Sequence, residues 1–218
     1  MKRYWFVLLT LMMSVKVFSQ SAEPQWTAVA GNTPAPMKVE LISSTEQSIV
    51  VHVTVPGFYA TDVITPQGQA AVITVPKLYN TAQAGEPNMP MLRIPALIDS
   101  QARMAIRVKS AKYMDFEGID IAPSKGDFPR SIDPATVPYT YGECYRKDAL
   151  LPAVTTTLDD PYIVRDCRGQ NIALHPFVYN AVKKTLRVYY DVTVVMYKVD
   201  DKGRNPMKAR KRGVQTVS

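Results

Sequence analysis

Apolar and polar residues alternate along much of this chain, which is the pattern of β-strands with one buried face. The alternation is clearest in Ser48–Val55 and longest in Leu186–Met196, and a shorter stretch occurs at Met104–Lys109. Two further pairs of strands are predicted to form hairpins, one within Asp62–Val75 and one within Tyr162–His175. We find no helical period of useful length and no repeat of fixed spacing. The pattern predicts an all-β protein, an antiparallel, jelly-roll-like β-sandwich.

A proline-rich segment, residues 121–138, interrupts the strands and carries four prolines, one glycine and a single arginine, Arg130. Proline fixes φ and lacks a backbone donor, so this segment cannot pair along a sheet. We predict an exposed, stiffened loop that presents Arg130, with Pro129 favouring extended backbone before it. The alternative is an arginine that is simply solvated.

The net charge of +7 is confined to the two ends of the 218-residue chain. Residues 1–19 carry three basic residues and no acidic one, and residues 198–218 carry seven basic and two acidic residues. The remaining body therefore has a net charge of −1 and no strong basic face, which argues against a nucleic-acid partner. Residues 198–218 also lack an apolar period, and we predict a basic, disordered tail.

The N-terminus has the composition of a signal peptide. A basic start precedes the apolar run Trp5–Val15, which is too short to span a bilayer, and Ser19 is a small residue suited to cleavage. The alternative is a buried N-terminal strand. We predict a signal peptide at 1–19, a flexible segment at 20–36 and a β-sandwich at 37–197. The product would be exported, periplasmic or secreted, and without a membrane segment after cleavage.

Two cysteines, Cys144 and Cys167, remain after the predicted cleavage. In an oxidising compartment an even number suggests a disulfide, which would stabilise the fold by ~3 kcal/mol; the alternative is two unpaired buried thiols. A nucleophilic pair of either thiol with His175 lacks a recognisable orienting group. The carboxylates at 159–160 match no calcium loop, and no phosphate or zinc motif occurs. We therefore predict no catalytic residue, no metal and no cofactor.

Several separate motifs occur in an order and spacing that resemble one known family. They are Gly85–Pro90, Ile121–Gly126, Val137–Gly142, Leu158–Gln170 and Tyr179–Tyr189. Together, over roughly 38–197, they resemble the N-terminal propeptide of gingipain-type (family C25) cysteine proteases. The resemblance is closest to the arginine-specific members. Cys144 and Cys167 are not part of that family pattern.

The resemblance implies a function. In this family the propeptide is a β-sandwich that keeps the protease latent and assists its folding. An arginine on an inhibitory loop enters the specificity pocket of the catalytic domain, and Arg130 is the matching position here. Phe128, Pro129 and Ser131 would flank it in that loop. The expected partner is the catalytic domain of a gingipain-type cysteine protease, and the free chain is expected to be a monomer without enzyme activity.

The resemblance also gives the C-terminal basic cluster a second interpretation. Arg210, Lys211 and Arg212 would be a processing site for an arginine-specific protease, whereas composition alone favours a solvated tail. The family's catalytic domain is not recognisable in these 218 residues. The sequence is therefore compatible with a free-standing inhibitor and with the front part of a protease precursor. A third alternative, from a different class, is a secreted β-sandwich binding module without inhibitory activity.

Overall fold

The computed structural model describes residues 23–207, and the chain folds there almost entirely into antiparallel strands. The strands are β1 (Gln25–Ala28), β2 (Lys38–Ser44), β3 (Ser48–Thr54), β4 (Gly57–Thr65), β5 (Gly68–Thr74), β6 (Tyr79–Asn80), β7 (Pro90–Ile98), β8 (Arg103–Glu117), β9 (Thr156–Leu158), β10 (Tyr162–Val164), β11 (Cys167–Leu174), β12 (Phe177–Asn180) and β13 (Thr185–Asp200). Two short 3-10 helices occur at Pro134–Thr136 and Glu143–Arg146. The predicted all-β, antiparallel fold is confirmed. The predicted signal peptide at 1–19 and the basic cluster at 210–212 lie outside the described residues.

The largest sheet is organised around β13, which has hydrogen-bonded partners on both edges. β8 pairs with it along nearly its whole length, while β12 and then β3 pair with the other edge, and β2 continues the sheet beyond β3. Alternate residues of β13 are almost fully buried, as the sequence pattern predicted: Leu186, Val188, Val192, Val194 and Met196. Tyr190, predicted on the same face, is only half-buried. The alternation thus decides which face of the sheet meets the core.

Two smaller sheets supply the rest of the sandwich. In one, β11 lies between β7 and the short strands β9 and β10, and β6 extends the sheet beyond β7. In the other, β4 lies between β1 and β5. Residues from all three sheets form one core, in which the Phe58 ring packs edge-to-face on Phe116 and Phe177. Burying one such ring stabilises the fold by about 1.5–3 kcal/mol.

Both predicted hairpins are present, as β4–β5 and β10–β11. The strand predicted at Met104–Lys109 is much longer than its apolar pattern indicated, because β8 runs to Glu117. Most side chains of β8 are exposed, and its backbone is held by hydrogen bonds to β13 along nearly the whole strand. A strand secured mainly by such hydrogen bonds need not alternate, and the pattern therefore underestimated its length.

The folded body extends beyond both boundaries expected from sequence. Within the segment expected to be flexible, β1 pairs with β4, and Trp26 packs edge-to-face on Tyr59 with 5.0 Å between ring centroids. At the other end, β13 continues to Asp200, and residues 201–207 remain attached to the body. The tail expected from residue 198 is therefore ordered as far as residue 207, and the rest of it lies outside the described residues. Its polar composition concealed main-chain hydrogen bonds, which composition does not encode.

Candidate functional site

The exposed part of the proline-rich segment begins further along the chain than the sequence suggested. The first four residues of the segment, 121–124, are buried rather than exposed. Ile121 lies beside Ala71 of β5 in a parallel bridge, and Pro123 forms an antiparallel bridge with Pro87. The exposed loop is thus residues 125–141, which we call the arginine loop.

A single residue, Gly85, holds both ends of the arginine loop. Its N–H donates to the carbonyl of Ser124 at 3.0 Å, and its own carbonyl accepts the N–H of Gly142 at 2.9 Å. Gly85 has φ of +82°, a conformation that favours glycine, and a Cβ on Gly142 would lie only 2.8 Å from the Gly85 carbonyl oxygen. We call Gly85, Ser124 and Gly142 the loop neck. The glycine of the Gly85–Pro90 motif therefore has a structural role in the loop.

The arginine loop is also braced from within. The Lys125 ammonium donates to the carbonyl of Pro134 at 2.7 Å and lies 4.4 Å from the centroid of the Tyr139 ring. Such a cation–π contact contributes ~0.5–1 kcal/mol at exposed sites. The Asp133 carboxylate accepts the N–H of Ala135 at 2.9 Å and caps the short 3-10 helix. These contacts limit the motion of the loop relative to its neck.

Arg130 lies within the loop and is exposed, as predicted. The Pro129 carbonyl accepts the N–H of Ile132 at 2.9 Å, so Arg130 and Ser131 occupy a turn. The turn follows the position before Arg130 at which extended backbone was expected. Ser131 is exposed and Phe128 is half-buried. Within residues 23–207, no ion pair or hydrogen bond engages the Arg130 guanidinium.

Three tyrosines, Tyr141, Tyr145 and Tyr179, pack next to the ends of the loop. The sequence analysis did not assign them a role. The Tyr145 hydroxyl donates to the carbonyl of Ile121 at 2.9 Å, and the Tyr141 hydroxyl lies 2.8 Å from Thr65 Oγ1. Tyr145 packs edge-to-face on both Tyr141 and Tyr179. Burial raises the pKa of Tyr179 to about 12 and that of Tyr145 well above its usual range. The phenols of Tyr145 and Tyr179 therefore stay neutral at ordinary pH, and the Tyr179 hydroxyl accepts the N–H of Ile121 at 3.4 Å.

The cysteines do not form the predicted disulfide; both are free thiols. Cys144 is half-buried in the 3-10 helix after the loop, and its thiol donates to the Gly85 carbonyl at 3.4 Å. Cys167 is exposed at the start of β11, opposite Val164 of β10. The turn-like sequence around each cysteine suggested proximity. The two turns belong to separate parts of the fold, so the thiols are unpaired, but neither is buried as the alternative supposed.

The thiols are not arranged as nucleophiles either. Cys144 and His175 line one cavity of about 220 Å³, yet the Cys144 hydrogen bond goes to a backbone carbonyl. Burial, followed by the nearby Glu86 carboxylate, raises the pKa of the Cys144 thiol, so the reactive thiolate is disfavoured. Burial also lowers the pKa of His175. The part of the chain that the structure describes contains no cluster of side chains suited to a metal ion.

Residues 23–207 include no helix of the length and apolar character needed to cross a membrane.

The second histidine, His52, lies on β3 between two carboxylates, with Nε2 3.1 Å from Asp191 and Nδ1 3.5 Å from Glu40. It is a cross-strand polar contact on the sheet surface, as its position in the strand pattern suggested. Neither histidine is placed for catalysis.

A β-sandwich that presents an exposed arginine on a braced loop is an arrangement suited to contacting another protein. Comparison with known proteins defines the class of protein. The family model Propeptide_C25 matches residues 29–217, and the chain belongs to this family of protease propeptides. The predicted family is therefore confirmed, and the matched region is the propeptide, not a catalytic domain.

Two curated relatives come from Porphyromonas gingivalis. Gingipain R1 is 38% identical over 168 residues, which cover 77% of this chain and 17% of the relative. Gingipain R2 is 32% identical over 210 residues, which cover 96% of this chain and 27% of the relative. The chain thus spans about a quarter or less of the length of these relatives.

Two solved structures share the fold. One is the complex of the Porphyromonas gingivalis RgpB pro- and mature domains, with a TM-score of 0.75 and 33% identity. That match covers 79% of this chain and 90% of the matched chain. The other is from work on the zymogenic latency of gingipain K, with a TM-score of 0.67, 19% identity and coverage of 80% and 99%. The second likeness concerns the fold alone.

Proposed function

We propose that this domain binds the catalytic domain of a gingipain-type cysteine protease, keeps it inactive and assists its folding. The observation that carries the proposal is the free guanidinium of Arg130, presented on a loop that Gly85 pins at both ends. Membership of the propeptide family and the likeness to the RgpB pro-domain support the choice of partner. In this proposal the chain itself is not an enzyme and is a monomer when free.

Arg130 would act by entering the specificity pocket of the protease. A guanidinium in a desolvated pocket with a carboxylate at its base makes a bidentate, charge-assisted contact that lysine cannot reproduce. Because the neck and the internal braces already order the loop, binding loses less conformational entropy. Phe128, Pro129 and Ser131 flank Arg130 and would contact the rim of the cleft.

The test is inhibition of an arginine-specific gingipain by purified wild-type, Arg130→Ala and Arg130→Lys proteins. Removing one partner of a buried charge pair costs ~2–5 kcal/mol, so Arg130→Ala should weaken inhibition by at least about tenfold. Arg130→Lys should also lose much of the affinity. Lys109→Ala is a matched control, because it removes one exposed positive charge from β8, away from the loop. It should inhibit as wild type does.

Each outcome separates the alternatives. Wild-type inhibition that Arg130→Ala retains in full would refute pocket insertion and leave blockage of the cleft by the sandwich surface. No inhibition by wild type would favour a binding module without inhibitory activity. Turnover of substrate by the domain alone would contradict the assignment as a propeptide. Assistance in folding is tested separately, by refolding the catalytic domain with and without this chain.

Export and processing complete the proposal. The kinship with gingipains and the N-terminal composition support export through a signal peptide at 1–19, to the periplasm or the exterior. Arg210, Lys211 and Arg212 would be the processing site in the tail. Mass spectrometry of the exported protein should give Gln20 as the first residue. Incubation with the arginine-specific protease should remove the last six to eight residues, and an intact C-terminus would contradict the processing site.

A further inference from the structure

Arg168 on β11 is an unusual residue, because its side chain is only 1% exposed. A buried guanidinium requires partners for its donors, and here the partners are backbone carbonyls. Nη1 donates to the carbonyls of Asp99 and Ala102, both at 2.8 Å. Nη2 donates to the carbonyl of Arg204 at 2.6 Å, and Nε to that of Asn205 at 2.9 Å. One side chain thus joins the β7–β8 connection to the segment that follows β13.

Further hydrogen bonds hold the same segment, residues 203–207, on the body. The Gly203 N–H donates to the Gln101 carbonyl at 2.9 Å, and the Met207 N–H donates to the Ser100 carbonyl at 2.8 Å. A Cβ on Gly203 would lie 2.2 Å from the Ala102 carbonyl oxygen and 2.7 Å from Arg168 Nη2. The segment therefore docks only because residue 203 has no side chain. We call residues 203–207 the docked segment.

The docked segment contains a peptide bond that an arginine-specific protease would otherwise cleave, between Arg204 and Asn205. A protease cleft binds substrate as an extended strand and must reach the carbonyl of the residue before the cut. Here the Arg204 carbonyl is occupied by Arg168, and Asn205 has φ of +49°, far from an extended backbone. Cleavage therefore requires the docked segment to detach first.

We propose that Arg168 protects the Arg204–Asn205 bond and so sets the inner limit of proteolytic processing at the C-terminal side of the domain. Further basic residues follow the docked segment in the sequence, at 208 and 210–212. A protease that trims the tail would stop short of Arg204, and the link between β11 and the end of β13 would survive. The inference uses the proposed function only for the identity of the natural protease.

Limited proteolysis with trypsin tests the proposal without any gingipain. Intact-mass spectrometry over time should show loss of residues beyond 208 from wild type, with the cut after Arg204 at least about tenfold slower. A synthetic peptide of residues 198–212 is the control for the sequence itself, and it should be cut readily after Arg204. Cleavage of the folded wild type after Arg204 as fast as in the tail would overturn the proposal.

Two variants identify Arg168 as the cause. Arg168→Met keeps a long side chain without donors, and Gly203→Ala blocks docking while Arg168 remains. In each, cleavage after Arg204 should accelerate at least about tenfold relative to cleavage in the tail. Asp160→Asn is the matched control, because it removes only the exposed ion pair to the Arg204 side chain, 2.7 Å long. It should leave the wild-type ratio unchanged.

Circular dichroism and a cooperative urea transition establish that each variant is folded. If Arg168→Met does not fold, the wild-type and Gly203→Ala measurements still decide the matter. A folded Gly203→Ala protein that resists cleavage after Arg204 would refute docking as the protection. Acceleration in Asp160→Asn equal to that in the other variants would show that the side chain of Arg204, not its carbonyl, is responsible.

Discussion

The loop neck gives the most demanding prediction, for the substitution Gly142→Ala. Gly142 has φ of −82° and ψ of 172°, which alanine adopts without strain. The added Cβ would nevertheless lie 2.8 Å from the Gly85 carbonyl oxygen, closer than a Cβ can approach it. The cost therefore comes from contact at the neck and not from the conformation of residue 142.

The magnitude follows from two terms. Overpacking a tight contact costs about 1–3 kcal/mol, and losing the 2.9 Å hydrogen bond from Gly142 to Gly85 costs about 1 kcal/mol. We expect the free energy of unfolding to fall by about 2–4 kcal/mol. A loosened loop must also be ordered on binding, and this should weaken inhibition of an arginine-specific gingipain by about 5- to 30-fold.

Gly118→Ala is the matched control for this prediction. Gly118 has φ of +74° and nothing within 4 Å of an added Cβ, so alanine there incurs only a conformational cost of about 1–2 kcal/mol. Urea unfolding followed by fluorescence measures both stabilities, and the inhibition constant measures the loop. Gly118→Ala should inhibit as wild type does. If a destabilised Gly142→Ala protein inhibits equally well, the neck does not position Arg130 and the reasoning is refuted.

Two further predictions concern the cysteines and acid. In the native protein Cys167 should react rapidly with a thiol reagent and Cys144 slowly, while both should react in denaturant; one reactive thiol or none in denaturant would contradict free cysteines. Arg187 holds the pKa of Asp115 below its ordinary value of 3.8, so this pair stabilises the fold above that pH and the contribution is lost as pH falls through the lowered pKa. Acid titration of unfolding should therefore show a smaller loss of stability below about pH 4 for Asp115→Asn than for wild type, and an unchanged loss would contradict this assignment.

The sequence predicted strands well where every second side chain along the strand is buried. β3, β13 and the β4–β5 hairpin follow from alternation and a glycine turn, because one face of each sheet must meet the core. It also placed Arg130 on an exposed loop. The conformation at Arg130 was less predictable, since the hydrogen bond from Ile132 to Pro129 depends on the whole path of the loop.

The failures share a physical cause, which is that main-chain hydrogen bonding at long range leaves little trace in composition. Arg168 has no distinguishing neighbours in the sequence, yet its four carbonyl partners come from two distant segments. The same applies to Gly85, whose role depends on chain that returns more than fifty residues later. The disulfide prediction was wrong for a different reason: local turn signals carry no information on the distance between two turns.

The position of β13 in the chain has a consequence for the order of assembly. β13 is the last strand among residues 23–207, yet β3, β8 and β12 all use it as their hydrogen-bonded neighbour. During synthesis from the N-terminus, β3 and β8 therefore wait with unpaired edges until residues 185–200 have emerged. Unpaired edges favour association with other chains. The nascent domain thus remains incomplete, and open to helper proteins or to aggregation, until nearly all of its residues have been made.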